Sequence, residues 1–330
     1  MMAPFGRTAS STRWIGVAIA VPVTVLAAIG LLPDLLGLDR RPMFVQLVSF
    51  RPQLVGLAML VLALAVVVVR GRRRGWPILA GLLAVVVLAA GQLLPRMIPD
   101  TQPTAGTPFT VLAFNTFEGR ADIGVLAELI RIERPDVVSL PEAGTHFTSR
   151  LRPLLEPLRY RLQSSADSGA DVENVSVAVA GELGDVQVRV GTETSIYPYL
   201  ELSGGRLGAL RVVAFHAAAP VPGQIGNWQA DQALLQRWCA GPGPTVVAGD
   251  MNATLDHSAL QTGTAGCQDA AAERGQGLVP TWGPSPRVRL VGPQIDHVFG
   301  GGGIAAVAFS VHDVAGSDHR AVLARLLLPS

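Results

Sequence analysis

The stretch "PTVVAGDMNATLDH", residues 244–257, ends a β-branched run with an acid and an amide two residues apart. Thr245, Val246 and Val247 read as a buried strand, and Gly249 as a point where the backbone is tight or closely approached. Side chains i and i+2 of an extended segment point the same way, so Asp250 and Asn252 are expected to project together from the strand's end. That is where open α/β sheets hold their ligands. The same letters also describe an Asx-rich turn leading into a helix, because Asp and Asn are ordinary turn and N-cap residues.

The neighbouring segments repeat the pattern. "FTVLAFNTF" (109–117) and "DVVSLPE" (136–142) read as strands, with an amphipathic helix over 121–134 between them that Pro135 stops. A helix near 146–156 follows, then strands over 175–181, 186–191 and 209–217, and a Trp-bearing helix over about 227–239. "QIDHVFGG" (294–301), "AAVAFSVHDV" (305–314) and "DHRAVLARLLL" (318–328) close the chain. Asn115, Glu142, His216, Asp250 and Asn252 all fall at strand ends, Asp296 lies in "QIDHV", and Asp318 and His319 precede the last strand. Any one of them is an ordinary cap or a satisfied polar group. Together, acids and amides able to hold a hard cation, plus two histidines, are what phosphoryl transfer needs.

The first third of the chain is of another kind. Trp14–Pro33, Pro52–Val69 and Gly75–Pro95 carry no charge and are each long enough, as a helix, to cross a bilayer core of roughly 30 Å. The loop "RGRRRG" (70–75) holds four arginines and no acid, and Arg7 and Arg13 precede the first run. The positive-inside rule then puts the N-terminus and this loop in the cytoplasm and everything after the third span outside. Three transmembrane helices (about 14–33, 52–69 and 75–95) thus make residues 1–95 a multi-pass plasma-membrane anchor. Residues 96–108 read as a Pro/Thr-rich linker and 109–330 as one extracytoplasmic α/β domain.

Charge follows the same division. Residues 1–106 hold 10 arginines and 3 acids, a net of +7, whereas 107–330 hold 16 arginines and 22 acids, a net of −6. A domain of that sign lacks the footprint of a strong nucleic-acid gripper, and an acidic site for a divalent cation fits it. The only cysteines, Cys239 and Cys267, lie in the part expected outside, where a disulfide forms readily; a pair of buried thiols is the other reading.

Taken in order, "LAFNTF", "RPDVVSLPE", "AFHAAAP", "VVAGDMNAT", "QIDHVF" and "GSDHRAV" resemble the endonuclease/exonuclease/phosphatase superfamily over essentially all of 107–330. The resemblance implies a four-layer α/β sandwich, two packed β-sheets flanked by helices, with a Mg²⁺ site at one edge that Mn²⁺ or Ca²⁺ can also serve. It makes Glu142 the principal metal ligand, helped by Asn115 and Asp318. Asn252 would donate to the phosphate and Asp250 would orient or deprotonate the attacking water. His319, held by Asp296, would contact a phosphate oxygen or act as the base, and His216 would protonate the leaving group. Pro141 stands where the family usually has Gln, and the family's active-site tyrosine has no assigned counterpart: Tyr197 and Tyr199 lie in a stretch without alignment to it, and Asn174 is an equal candidate for contacting phosphate. Glu118 reads as a solvated loop acid and His297 as a packed one. The expected activity is metal-dependent phosphodiester hydrolysis, nuclease-like. A phospholipid headgroup or an inositol phosphate is the alternative substrate, and a degenerate envelope scaffold of the same fold the alternative class. The bilayer is the other expected partner, and no protein partner follows from these residues.

Overall fold

In an apolar solvent a backbone must satisfy its own hydrogen bonds, and uncharged runs of leucine, valine and alanine do so as helices. The computed structural model describes residues 8–69, 75–285 and 288–329, in two compact units, Met1–Leu94 and Pro95–Ser330. The first unit holds α1 (Thr8–Leu31), α2 (Phe44–Ser49), α3 (Arg51–Val69) and α4 (Trp76–Leu93). Arg51 opens α3 and bonds to Asp34 and Gln92, and the Gln92 amide donates to Asp34 at 3.3 Å. By length and composition two stretches, Arg51–Val68 and Trp76–Met97, suffice to cross a membrane. Of the third expected span, the described side chains take in the shorter apolar stretch Val17–Leu31 of α1. Two membrane-length helices, not three, are therefore shown among the described residues. Arg7 and the arginines of the 70–74 loop, on which the expected orientation rests, lie outside the described residues.

Among the described residues, the second unit is built on twelve strands. β1 (Thr107–Ala113), β2 (Val137–Pro141), β3 (Tyr160–Ser164), β4 (Val175–Ala180), β11 (Ala305–His312) and β12 (Ala321–Leu328) form one sheet in the order β11-β12-β1-β2-β4-β3. β5 (Val186–Gly191), β6 (Tyr199–Gly204), β7 (Arg211–His216), β8 (Thr245–Asp250), β9 (Cys267–Asp269) and β10 (Asp296–Gly301) form the other, in the order β5-β6-β7-β8-β10-β9. Each sheet is mixed, with one parallel pair, β1/β2 and β7/β8.

Strand alternation makes the layers. Val111 and Ala113 face inward against Val212, Ala214, Val246, Ala248 and Val298 of the other sheet, forming the central core. Leu112 and Phe114 face outward and are covered by α5 (Ile123–Glu133) and α6 (Thr145–Leu155) through Leu126, Ile130, Phe147 and Leu151. On the far side lie α7 (Ile225–Leu234), α8 (Gln236–Cys239) and α9 (Ser258–Gly263), where Trp238 meets Phe215 edge-on at 5.8 Å. The result is the expected pair of packed sheets flanked by helices, with α10 (Ala270–Glu273) following β9. Cys239 and Cys267 are joined as a disulfide.

Two local departures matter for the site. Within the expected linker, Arg96 is paired with Asp256 at 3.0 Å and Asp100 N–H donates to the Glu273 carbonyl, so 96–100 runs along the second unit. Gly249 has φ +151°, and a Cβ there would lie 1.9 Å from the Phe215 carbonyl oxygen. Only glycine lets β7 and β8 approach this closely at their ends.

Candidate active site

The parallel pairs deliver side chains to one edge. In the second sheet His216, Asp250 and Asp296 are register partners across β7, β8 and β10, so three site groups stand in one row. In the first sheet Asn115 and Glu142 follow the ends of β1 and β2, and Asp318 and His319 come just before β12. Ser317 ties the pieces together: its Oγ donates to the Asn115 carbonyl at 2.9 Å and accepts from His319 N–H at 3.0 Å.

Glu142 is held on three sides in a left-handed backbone conformation, φ +59°. Oε1 accepts from Asn115 Nδ2 at 3.0 Å, Oε2 from Glu118 N–H at 2.7 Å, and its carbonyl from Thr116 Oγ1 at 2.6 Å. Strained backbone at a non-glycine residue survives where the surroundings fix it, often at functional sites. Asn115 Nδ2 also donates to Asp250 Oδ2 at 2.9 Å, while its Oδ1 accepts from Phe117 N–H. The amide thus turns its nitrogen, not its oxygen, toward the two carboxylates. It braces them, and serving as a ligand would require the amide to turn over.

At Asp250 the strand's end and an Asx turn coincide. Oδ1 accepts from Asn252 N–H at 2.8 Å, an Asx turn, while Oδ2 faces the site. The alternation expected between Asp250 and Asn252 breaks, because Asn252 sits at φ +46°. Its Nδ2 donates to the Ala217 carbonyl at 2.9 Å, linking the ends of β7 and β8, and its own carbonyl accepts from Trp228 Nε1.

The expected Asp296–His319 hydrogen bond is present: Nδ1 lies 2.9 and 3.1 Å from the two carboxylate oxygens. Thr281 Oγ1 accepts from Asp296 N–H at 3.1 Å, which fixes that end of β10. His319 Nε2 points the other way, 3.7 Å from Asp250 Oδ2 and 3.9 Å from Asp318 Oδ1. Burial alone would depress the imidazole's pKa, but the charges of Asp296, Asp250 and Asp318 outweigh it and lift the pKa well above the usual histidine value. His216 is the opposite case. Fully buried and near His319, it is pushed down to about 3 and stays neutral. Its Nε2 lies 3.7 Å from Asp250 Oδ2 and 3.8 Å from Glu142 Oε1, which favours the Nε2–H tautomer. A neutral imidazole donates a hydrogen bond but is a poor source of a proton, so the expected leaving-group acid is better suited to holding an oxygen.

The donor set fits a hard cation. Burial is the largest cause raising the pKa of Glu142, Asp250 and Asp318, the mark of crowded carboxylates short of positive charge. Asp318 is fixed through Oδ2 by Trp282 Nε1 at 3.0 Å, and its buried Oδ1 has no hydrogen-bond partner among the described residues. Asp250, Asp296 and His319 also lie within 4.8 Å of one another, close enough to share an ion. Ligating His319 would require it to give up the proton that its acids hold in place, so the carboxylates of Glu142 and Asp318 are the better donors.

Several supporting residues carry no motif in the sequence, Tyr197, Asp231, Thr281 and Trp282, whereas Ser317 lies within "GSDHRAV". Tyr197 stacks on His216, a contact that no local pattern in the sequence announces. Glu118 turns its side chain to Arg120 and gives the site only its backbone N–H. His297 is structural, bonded to Asp269 at 2.7 Å and to the Ala253 carbonyl at 3.0 Å.

A family model for the Endonuclease/Exonuclease/phosphatase family matches residues 112–319, which takes in every site residue above. The chain belongs to that family. It is thus a metal-dependent phosphoesterase hydrolase. Among solved structures it is similar to TDP2 from Caenorhabditis elegans, with 15% identity, TM-score 0.55 and coverage of 83% of this chain and 92% of that one. An endonuclease/exonuclease/phosphatase from Beutenbergia cavernae gives 21% identity and TM-score 0.50, covering 68% and 72%. ANGEL2, a 2′,3′-cyclic phosphatase in complex with adenosine-2′,3′-vanadate, gives 14% identity and TM-score 0.51, covering 69% and 97%. At these identities the likeness is one of fold. No curated protein matches the chain in sequence.

Proposed function

We propose that this protein is a membrane-tethered phosphodiesterase that uses Mg²⁺ and cleaves a phosphodiester by in-line attack of water. The observation that carries this reading is the convergence, where the ends of the two sheets meet, of Glu142, Asp250, Asp318 and the Asp296–His319 pair, with Asp318 Oδ1 lacking a hydrogen-bond partner among the described residues. Glu142 and Asp318 would hold the cation, and Asn115 keeps Glu142 beside Asp250. What a bound cation supplies is neutralisation of the charge that grows on the non-bridging oxygens. Asp250, its pKa raised by burial, orients the water and accepts its proton. The His319 imidazolium, steered by Asp296, donates to a phosphate oxygen, and the leaving oxygen, released as the water oxygen bonds to phosphorus, takes its proton from solvent. His216 Nε2–H holds another, and Asn252 keeps the ends of β7 and β8 together.

The test is a panel on the full chain in detergent, covering plasmid DNA, RNA, sphingomyelin and inositol phosphates, each with Mg²⁺ and with chelator. Chelator-sensitive cleavage of one phosphodiester is the expected result, and no cleavage of any substrate by folded protein with Mg²⁺ would sink the reading. Similar folds span DNA-processing and cyclic-phosphate enzymes, so the panel and not the fold identifies the substrate: a TDP2 from D. rerio was solved with a single-strand DNA product.

Three spans with a cytoplasmic N-terminus and an exported catalytic domain complete the proposal. Two membrane-length helices ahead of the domain and the Cys239–Cys267 disulfide support it, since disulfides persist outside the cytoplasm. A reporter fused after Ser330 should be active only if it functions outside the cytoplasm; cytoplasmic activity at that position would reverse the orientation.

A further inference from the structure

The two site histidines are held by different means. His319 has a carboxylate behind it, Asp296, bonded to its Nδ1 at 2.9 Å. Such a partner at the far nitrogen is the usual way to fix an imidazole's tautomer and direction. His216 lacks one: its Nδ1 is buried and has no hydrogen-bond partner among the described residues. What it has is a ring. Tyr197 lies on its imidazole with centroids 4.1 Å apart and planes 8° from parallel.

That contact is built rather than incidental. Tyr197 comes from the segment between β5 and β6, and its carbonyl accepts from Thr194 Oγ1. Two residues earlier, Ser195 N–H donates to Asp231 Oδ1 at 2.7 Å, and Ser195 Oγ to the Asn227 carbonyl at 3.2 Å. The other oxygen of Asp231 accepts from Ala218 N–H at 2.8 Å, two residues after His216. One buried carboxylate on α7 therefore clamps both chains that carry the stacked rings. Parallel stacking resists tilting of either ring and leaves rotation about the ring normal to the flanking backbone.

We infer that Tyr197 is a positioning residue for His216, its stacked ring replacing the hydrogen bond that His216 Nδ1 does not make. The inference rests on the reading of His216 as a site donor. It assigns the work to the ring face and not to the hydroxyl, because the ring is what touches the imidazole.

The experiment uses the full chain in detergent with Mg²⁺ and bis(p-nitrophenyl) phosphate as probe. Tyr197→Phe should keep kcat within about twofold, and Tyr197→Leu should lower it about tenfold with KM little changed, a fraction of what a general acid–base group contributes. In a His216→Ala background Tyr197→Leu should cost no further activity, because residues that act as one unit are not additive. Should the leucine variant fail to fold, Tyr197→Met takes its place. With histidine ring protons labelled, the ring-current shift of His216 should survive in Tyr197→Phe and vanish in Tyr197→Leu. Tyr197→Phe falling as far as Tyr197→Leu, an equal loss in both His216 backgrounds, or unimpaired Tyr197→Leu would overturn the inference alone. Full activity in His216→Ala would overturn the reading of His216 and the inference with it.

Discussion

Glu142→Gln is expected to lower phosphodiester hydrolysis by about a thousandfold while the domain stays folded. Glutamine keeps the shape of the side chain and can still accept the Glu118 N–H bond that now goes to Oε2. It removes the charge that a cation needs and that the transition state borrows, which places the loss at the upper end for one electrostatic group. Mg²⁺ affinity measured by calorimetry should fall by at least about tenfold. Stability should not follow. Burial raises the folded pKa of Glu142, so the ionised form is disfavoured in the native state and its cost is fully present above that pKa. A neutral glutamine removes this cost but gives up the bond that Oε1 accepts from Asn115, so in chelator the unfolding temperature at neutral pH should change little. That combination, lost activity with undiminished stability, is the signature of a group kept for function at the fold's expense. Near-normal turnover in the variant would mean that Glu142 does not hold the cation.

How much of this is legible before folding depends on whether neighbours in sequence or neighbours in space supply the constraint. β-branched runs that lead into acids mark β2 and β8, because alternation and composition are local properties. β3, β6 and β9 escape notice: Tyr160–Ser164 alternates buried and exposed at a sheet edge, and Cys267–Asp269 is only three residues long. Side chains i and i+1 of an extended chain diverge, and the observed bonds of Asp318 and His319 do so, Asp318 to Trp282 and His319 to Asp296. The same reasoning fails at Asn252, since a left-handed residue leaves the strand periodicity. The direction of the Asn115 amide is set by Phe117 N–H, two residues on, yet its meaning comes from Glu142 and Asp250 across the fold. Tyr197 and Asp231 are invisible for the same reason. They bear on His216 only through contacts between segments that no spacing links.

The remaining large effect is expected at the Asp296–His319 pair. His319 presents Nε2 to the site 3.7 Å from Asp250 because Nδ1 is committed to Asp296. His319→Ala should cost about two or more orders of magnitude in kcat, as for general acid–base or phosphate-contacting groups. Asp296→Asn should cost less, since its amide oxygen can still accept from Nδ1–H, but the imidazolium then loses its nearest counter-charge. Asp296 is foremost among the acids lifting the His319 pKa, so the asparagine variant should move the His319 titration downward, a shift that histidine-labelled NMR reads directly. Because the acid acts through the imidazole, the two losses should not add: Asp296→Asn combined with His319→Ala should be little worse than His319→Ala alone. Fully additive losses, or a His319 titration unmoved by Asp296→Asn, would show that Asp296 supports the end of β10 and the Thr281 contact instead of steering the histidine.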